Sequence, residues 1–375
     1  MNLLNLESAP FVSIIILNFN GEHYLQTCLS SVFKTEYPHF EVILVDNAST
    51  DGSLDRAEKA FGKDKRLKVI RNSKNLGYSQ GNNIGFKCSN GSYIVFLNND
   101  TLVEPSWLQA LVDAMLTDRT VGLAQSLLLR IDGQKIQTAG WLFSDYLILQ
   151  SSLAEDESPN SIFPSLFEVS FASGAAMIIQ RKLLHEIGLF EPEVGFYYDD
   201  TLLSLKTWIA GSRVATVSKS KVRHVGSASI GRDTQFTTYH SSKARICLIF
   251  DTYHKLWSLT KALFVFTVSL FSNSILFAGP KNLSLFFGDI RAMMWAFRNL
   301  RLIWKNRLRH WSKARLSPDL LISKLVRIRI PTPLYLMPSS LAKTCFKIEV
   351  LRYRNSLTEL TCKTRELTCE RRTGV

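Results

Sequence analysis

Two of the polar runs in this sequence carry carboxylates placed for chemistry on a diphosphate and a hydroxyl. Leu97-Asn98-Asn99-Asp100 closes an apolar run. A departing diphosphate carries charge that a hard divalent cation on oxygen ligands neutralises. Asp100 is the natural ligand, with Asn98 assisting through its amide oxygen or a water; a polar turn ahead of Pro105 is the other reading. Tyr197-Tyr198-Asp199-Asp200 puts two carboxylates at an expected helix start, where the dipole favours them. One of the pair could take a proton from an acceptor hydroxyl; plain helix capping is the alternative.

Three further runs fit the binding of a nucleotide. Asp46-Asn47-Ala48-Ser49-Thr50-Asp51-Gly52-Ser53 follows an apolar strand-like run. A carboxylate there can accept from a base N–H or a ribose hydroxyl, and an ordinary strand-to-helix turn stays open beside it. Asn75-Leu76-Gly77 and Gly81-Asn82-Asn83-Ile84-Gly85 combine amides with glycines. Such glycines let a backbone approach phosphate or sugar, or they serve helix packing. His224, in Arg223-His224-Val225-Gly226-Ser227, could ligate a metal or touch phosphate, or it could be structural.

These runs need elements to position them. Val12–Leu17, Glu41–Asp46, Leu67–Asn72, Ser92–Leu97 and Val121–Leu128 are apolar, β-branched runs of the kind buried on both faces of a parallel sheet. Helical spacing lies between them: Leu25 to Phe33, a segment after Ser53, Tyr78–Cys88, and a helix opened by Pro105 that runs to about Met115. The alternation predicts a doubly wound α/β sheet with its ligands at the carboxyl ends of the strands. Trp141–Pro164 reads as a variable loop. Phe171–Ile179 returns to a strand, Lys182–Gly188 and Thr201–Ile209 to helices, and Arg213–Val217 and Lys221–Val225 to two short strand-like pieces.

From Thr237 the pattern is helical. Ala262–Ala278 is the most apolar stretch and is expected to lie in the membrane plane or to pack on the core, with a single span as the alternative. Arg291–Trp311 mixes Trp, Met and Leu with six Lys/Arg, the pattern of a membrane-surface helix; a solvated basic face on the main domain is the other reading. No element is assigned beyond Ser317. The chain thus divides into residues 1–236, a helical region at 237–330 and a basic tail at 331–375. Of the net charge of +13, residues 301–375 carry +12, from 17 Lys/Arg against 5 Asp/Glu. The large apolar residues of this tail favour anionic lipid over nucleic acid. The six cysteines show no C-x-x-C pair and read as free thiols. Met1–Pro10 has no basic or apolar export signal, so a cytoplasmic location is expected.

Taken in order, VSIIILNFNG, VDNASTDGS, NLGYSQGNNIG, FLNND, SGAAMIIQRKLL, Gly188-Leu189-Phe190-Glu191, YYDD and RHVGS resemble the family 2 glycosyltransferases, in particular their rhamnosyltransferase-like branch. The likeness covers about residues 11–232, and Thr237–Leu320 resembles the C-terminal helices of that branch. It implies a GT-A fold: an α/β, doubly wound, mostly parallel sheet with a helical, membrane-associating extension. It also implies inverting transfer that depends on Mg²⁺ or Mn²⁺. By the same analogy Asn18 and Asn20 lie beside the nucleotide and Asp46 reads the base. Asn47, Asp51, Asn98 and Asn99 belong with the donor-binding residues, and Asn75, Gly77, Gly81 and Asn82 border the ribose and diphosphate. Asp100 matches the last Asp of the metal motif, His224 a histidine near metal or diphosphate, and Asp200, with Asp199 beside it, the catalytic base.

The sequence departs from that pattern at four places, one of them the mild change to Asp199-Asp200 where the family usually has Glu-Asp. Its metal motif has one carboxylate where many relatives have two. Leu202 and Lys206 stand where the family often has Asp and Arg, and both changes touch the acceptor side. The expected partners are a nucleotide-sugar donor, dTDP-rhamnose or a UDP-sugar, a glycan or lipid-linked glycan acceptor of cell-surface polysaccharide synthesis, and the inner face of the cell membrane. No nucleic acid is expected. An inactive GT-A scaffold, and a nucleic-acid binder using the basic tail, are the competing readings.

Overall fold

A computed structural model describes residues 9–147, 150–193, 199–226, 235–276, 280–328 and 339–373. Tyr197, Tyr198 and Ser227 of the motifs above, and residues 331–338 of the tail, lie outside the described residues.

The chain opens with β1 (Val12–Asn18), α1 (Leu25–Val32), β2 (Phe40–Asp46), α2 (Ser53–Phe61), β3 (Leu67–Arg71), α3 (Gly77–Lys87) and β4 (Tyr93–Asn98). It continues through β5 (Thr101–Val103), α4 (Trp107–Thr117), β6 (Val121–Arg130), β7 (Ile136–Thr138), β8 (Trp141–Ser144), a 3₁₀ turn at Asp145–Leu147, β9 (Gln150–Ser152), β10 (Leu166–Glu168) and β11 (Ala176–Gln180). Then follow α5 (Arg181–Ile187), α6 (Asp199–Ile209) and β12 (Arg213–His224). The extension comprises α7 (Gln235–Thr252), α8 (Leu256–Leu276), α9 (Pro280–Arg298), α10 (Leu300–Trp311), α11 (Pro318–Leu325), β13 (Val326–Ile328) and α12 (Ser339–Thr373).

The main sheet runs β10-β12-β6-β11-β4-β1-β2-β3. β4, β1, β2 and β3 are parallel, and β12 is parallel to β6; β11 runs antiparallel between β4 and β6. This is the mostly parallel, doubly wound α/β sheet that the alternation predicts. Residue alternation divides the core. Val12, Ile14 and Ile16 face α1 and α4, whereas Ile15, Ile43 and Val45 face the opposite layer. The second layer is continuous with Leu248, Phe266, Ile303 and Leu321 of the extension.

Two sequence readings need correction. Trp141–Pro164 is not a loop throughout: β8 pairs with β9 and, across the chain, with β13. Strands of three or four residues are too short to display a period, so their pairing is tertiary. The two pieces at 213–225 are one strand, whose register slips between Val217 and Lys221. A β-bulge there interrupts the apolar pattern without ending the strand.

A buried charge cluster fastens the extension to the sheet domain. Glu191 accepts from His310 Nε2 at 3.1 Å and from Lys206 Nζ at 3.3 Å, and it pairs with Arg309. His310 Nδ1 lies 3.0 Å from Asp251 on α7. Burial opposes the ionised Glu191, yet His310, Lys206 and Arg309 together hold its carboxyl down to about 2. Lys206 therefore faces inward, and Leu202 is buried in the core beside it. Both departures from the family pattern belong to this docking surface. Glu191→Ala would leave Lys206 and His310 buried without their shared counter-charge. The expected loss is about 3–5 kcal/mol, read from the denaturant midpoint.

Candidate active site

The polar runs converge on the carboxyl ends of β1, β2 and β4. Asn18, fully buried, ties these ends together: its Nδ2 donates to Asp46 Oδ1 at 2.9 Å and to Ser53 Oγ at 2.9 Å, and its Oδ1 accepts from Asn99 Nδ2 at 2.9 Å. Asp46 is also buried, and both its oxygens are engaged. Oδ1 accepts from Ser49 Oγ at 2.7 Å and Oδ2 from Ser49 N at 2.9 Å. Its side chain thus holds the loop after β2 in shape. Asn20 is exposed, sits in the left-handed region (φ 51) and accepts from Thr50 N at 2.9 Å; asparagine tolerates that conformation. Asp51 accepts from Glu22 N at 2.7 Å and completes the strap between the β1 and β2 loops.

A second amide chain forms the next wall. Asn47 Nδ2 donates to Asn75 Oδ1 at 3.1 Å and to the Gly77 carbonyl at 3.2 Å, while its Oδ1 accepts from Asn72 at 2.8 Å. Gly77 takes a positive φ of 76° where α3 begins. Gly81 packs helix on sheet, since a Cβ there would stand 2.4 Å from Leu17 Cδ1. Asn82 is buried and donates to the Tyr78 carbonyl of its own helix at 3.0 Å.

Asp100 and His224 meet at the end of β4. β5 pairs antiparallel with the end of β12, with His224 opposite Thr101, and this brings His224 Nε2 to 3.2 Å from Asp100 Oδ1. Asn98 Nδ2 lies 3.3 Å from the same nitrogen. On the far side of the ring, Nδ1 is 2.7 Å from Gln137 Oε1. An amide oxygen only accepts, so Nδ1 carries a proton and Nε2 is the ring nitrogen that faces Asp100. A nitrogen lone pair and a carboxylate oxygen that close suit a divalent cation. Among the described residues no group of three His, Cys, Asp or Glu could hold a metal, so a cation there would draw its other ligands from water and substrate. No local pattern signals Gln137, which lies on the short β7.

Asp199 and Asp200 open α6 on the other side of β4. The Gly174 main chain donates to Asp200 Oδ2 at 2.7 Å, and Thr201 N donates to Oδ1 at 2.8 Å. Gly174 leads into β11, and the adjacent Ala175 carbonyl accepts from Asn98 N at 2.9 Å, so Asp200 is anchored at the strand end that carries Asp100. Asp199 is buried against Ser79 Oγ of α3. Burial pushes its carboxyl up to about 8; the Asp200 charge adds to this, while the Ser79 hydrogen bond and Lys243 pull it back. Burial also raises Asp200, against the pull of the Gly174 and Thr201 amides. Adjacent buried carboxylates share this behaviour because two like charges are costly in one place. Asp200 keeps partial exposure and Asp199 does not.

Residues 13–188 match the family described as glycosyl transferase family 2. An uncharacterized glycosyltransferase of Haemophilus influenzae is 36% identical over 107 residues, which is 28% of this chain and 33% of that protein. A putative teichuronic acid biosynthesis glycosyltransferase of Bacillus subtilis, TuaG, is 30% identical over 107 residues, which is 28% of this chain and 42% of that protein. The match thus spans less than half the length of either relative. Among solved structures, GalNAc-T7 with UDP, GalNAc and Mn²⁺ superposes with a TM-score of 0.56 at 18% identity, over 79% of this chain and 58% of that one. That likeness fixes the fold as GT-A.

Two measurements probe the site. Gln137→Ala frees the His224 ring and is expected to weaken Mn²⁺ binding by about 10–100-fold, read by paramagnetic titration. Between the free value of 3.8 and about 8, the fold keeps a proton on Asp199 that the unfolded chain has lost. The parent's stability therefore declines across that window and levels off on either side. Asp199→Asn removes this decline, so the variant gains on the parent by up to about 1.4 kcal/mol per pH unit there and no further above it.

Proposed function

We propose, from the match of residues 13–188 to glycosyl transferase family 2, that the protein is an inverting glycosyltransferase that moves a sugar from a nucleotide-diphosphate donor to a hydroxyl of a glycan or lipid-linked glycan in cell-surface polysaccharide synthesis. The observation that carries this reading is the arrangement around one strand end. Asp100 and His224, a pair suited to a cation, stand on one side of the end of β4, and the partly buried Asp200 is anchored on the other through Gly174. The donor is a UDP-sugar or dTDP-rhamnose, and the UDP in the GalNAc-T7 structure supports the former. The name of TuaG supports the polysaccharide context.

Asp200 accepts the proton of the attacking hydroxyl. Its raised affinity for a proton suits that role, and the amides of Gly174 and Thr201 keep it oriented and ionisable. Asp199, protonated below about 8, keeps a second negative charge out of the cleft. Asp100 and His224 would hold the Mg²⁺ or Mn²⁺, and Asn98 steadies the His224 ring. When bound, the ion neutralises charge on the leaving diphosphate. Asn20, Asp51, Asn75 and Gly77 line the nucleotide side. Asn18, Asp46, Asn47 and Asn99 act through the loops that they brace.

No described helix is long and apolar enough to cross a membrane. Exposed Trp257, Phe297, Trp304 and Leu308 alternate with exposed Lys255, Arg298, Arg301 and Lys305, which supports peripheral contact with the inner face of the cell membrane.

The test is metal-dependent hydrolysis or transfer across a panel of nucleotide-sugars, with product configuration read by NMR. Asp200→Asn is expected to lower turnover by about 10²–10⁴-fold. Asp100→Ala is expected to abolish the response to added Mn²⁺. Unchanged metal-dependent turnover in Asp100→Ala, or a product of retained configuration, would defeat the reading.

A further inference from the structure

Helix α3 meets the Asp199-Asp200 pair with two consecutive side chains. Ser79 Oγ is hydrogen-bonded to Asp199. Tyr78, the preceding residue, reaches the segment that holds Asp200. Its hydroxyl donates to the Gly174 carbonyl at 3.1 Å. The Gly174 amide in turn donates to Asp200 Oδ2 at 2.7 Å. Both polar main-chain groups of one residue are thus engaged, one by Tyr78 and one by Asp200.

Glycine has the freest backbone of any residue, so contacts around Gly174 decide where its amide points. On one side, Ser173 N donates at 2.7 Å to Gln125 Oε1, a fully buried side chain of β6. On the other, the Ala175 carbonyl accepts from Asn98 N at 2.9 Å. Tyr78 holds the carbonyl that lies between these two anchors. The Tyr78 ring is itself placed: it packs edge-on against Phe190 with centroids 5.5 Å apart, and Phe190 packs on Phe96 of β4 at 4.8 Å. Asn83 of α3 donates to the Phe190 carbonyl at 3.0 Å and accepts from Phe190 N at 3.2 Å. A phenylalanine would fill the same space against Phe190. What the hydroxyl adds is the bond to Gly174. Burial, then Asp200 and Asp199, hold that hydroxyl well above its usual range, so it keeps its proton and remains a donor at neutral pH.

We propose that Tyr78 is a positioning residue: by holding the Gly174 carbonyl, its hydroxyl aims the Gly174 amide at Asp200 and keeps that carboxylate in its ionised, proton-accepting form. This rests on the reading of Asp200 as the base of the transfer and adds a residue that acts through it. A hydrogen bond to an ionised carboxylate favours that form. With its carbonyl released, Gly174 turns and its amide leaves Asp200. The carboxylate then holds a proton more tightly, and a base that already carries a proton cannot accept one from an attacking hydroxyl.

The experiment uses the full chain with its Asp carboxyls labelled with ¹³C and follows Asp200 by NMR as the pH is varied. All samples carry Asp199→Asn, so that Asp200 titrates without its neighbour. The signal lost on adding Asp200→Asn assigns it. Tyr78→Phe keeps the ring and is expected to raise the Asp200 midpoint by about 0.5 pH unit. Gly174→Ala, whose Cβ would stand 2.8 Å from the Tyr78 hydroxyl, disturbs the same bond from the other end and is expected to raise it too. Val112→Ala trims a buried side chain of α4 in the other core layer and is expected to leave the midpoint in place. An unchanged midpoint in Tyr78→Phe or in Gly174→Ala, or an equal rise in Val112→Ala, overturns the proposal. Turnover is measured in chains that retain Asp199. Tyr78→Phe is expected to lower kcat about tenfold with the donor KM within about twofold. A loss confined to KM also overturns the proposal. If the parent turns over no nucleotide-sugar while the midpoint still rises, the glycosyltransferase reading fails and the hold on Asp200 stands.

Discussion

The hydrogen bond from the Gly174 main chain to Asp200 joins the two sides of the cleft. Gly174 sits where the chain enters β11, and β11 is the one antiparallel strand between β4 and β6. Reversing that strand sends residues 173–175 across the carboxyl end of β4, which is where Asp100 turns back to pair with β12. Asp200 and the Asp100–His224 pair are therefore fixed to one strand end from opposite directions. Space there is tight: a Cβ on Gly174 would stand 2.8 Å from the Tyr78 hydroxyl and 3.3 Å from Asp200 Oδ2. A side chain at 174 would push the carboxylate out of line, so a close approach of backbone to carboxylate sets the geometry.

Electrostatics divides the labour between neighbouring acids. Asp199 is enclosed by Ser79 and keeps its proton toward neutrality, whereas Asp200 retains main-chain donors and some access to solvent. Identical side chains one residue apart thus have different tasks because one faces α3 and the other faces the cleft. A similar division holds among the amides. Asn18 and Asn47 are buried and brace the loops, Asn82 is buried against its own helix, and Asn20 is left at the rim. Rigid loops at the ends of strands are what a donor site needs, since misplacement by an ångström is expensive in rate.

The extension is part of the same electrostatic system. Glu191, three cationic side chains and Asp251 form a buried cluster between α6, α7 and α10. Such clusters contribute more to orientation than to net stability, because desolvation offsets most of the attraction. Here the orientation has a use: it sets α7 so that Lys243 comes within the field of Asp199. Leu202 and Lys206, which leave the family pattern together, are both on this docking surface.

The sequence by itself determined the strands β1 to β4 and β6, the helices between them, and the polar runs at their ends. Continuous β-branched runs and strand-end carboxylates are local signals that need no knowledge of the rest of the chain. The short β7 to β10 and the bulged β12 were not legible, because three-residue strands exist only through their partners and a bulge breaks the pattern that reveals a strand. Tertiary structure alone decided that Gly81 packs on Leu17, that Asp46 is consumed by its own loop, and that Gln137 orients His224. It alone brought Lys243, 44 residues beyond Asp199 in the chain, within the electrostatic reach of that carboxyl. Residue type states what a side chain can do; which atoms surround it depends on contacts between distant segments, and a single sequence does not encode those contacts in any local pattern.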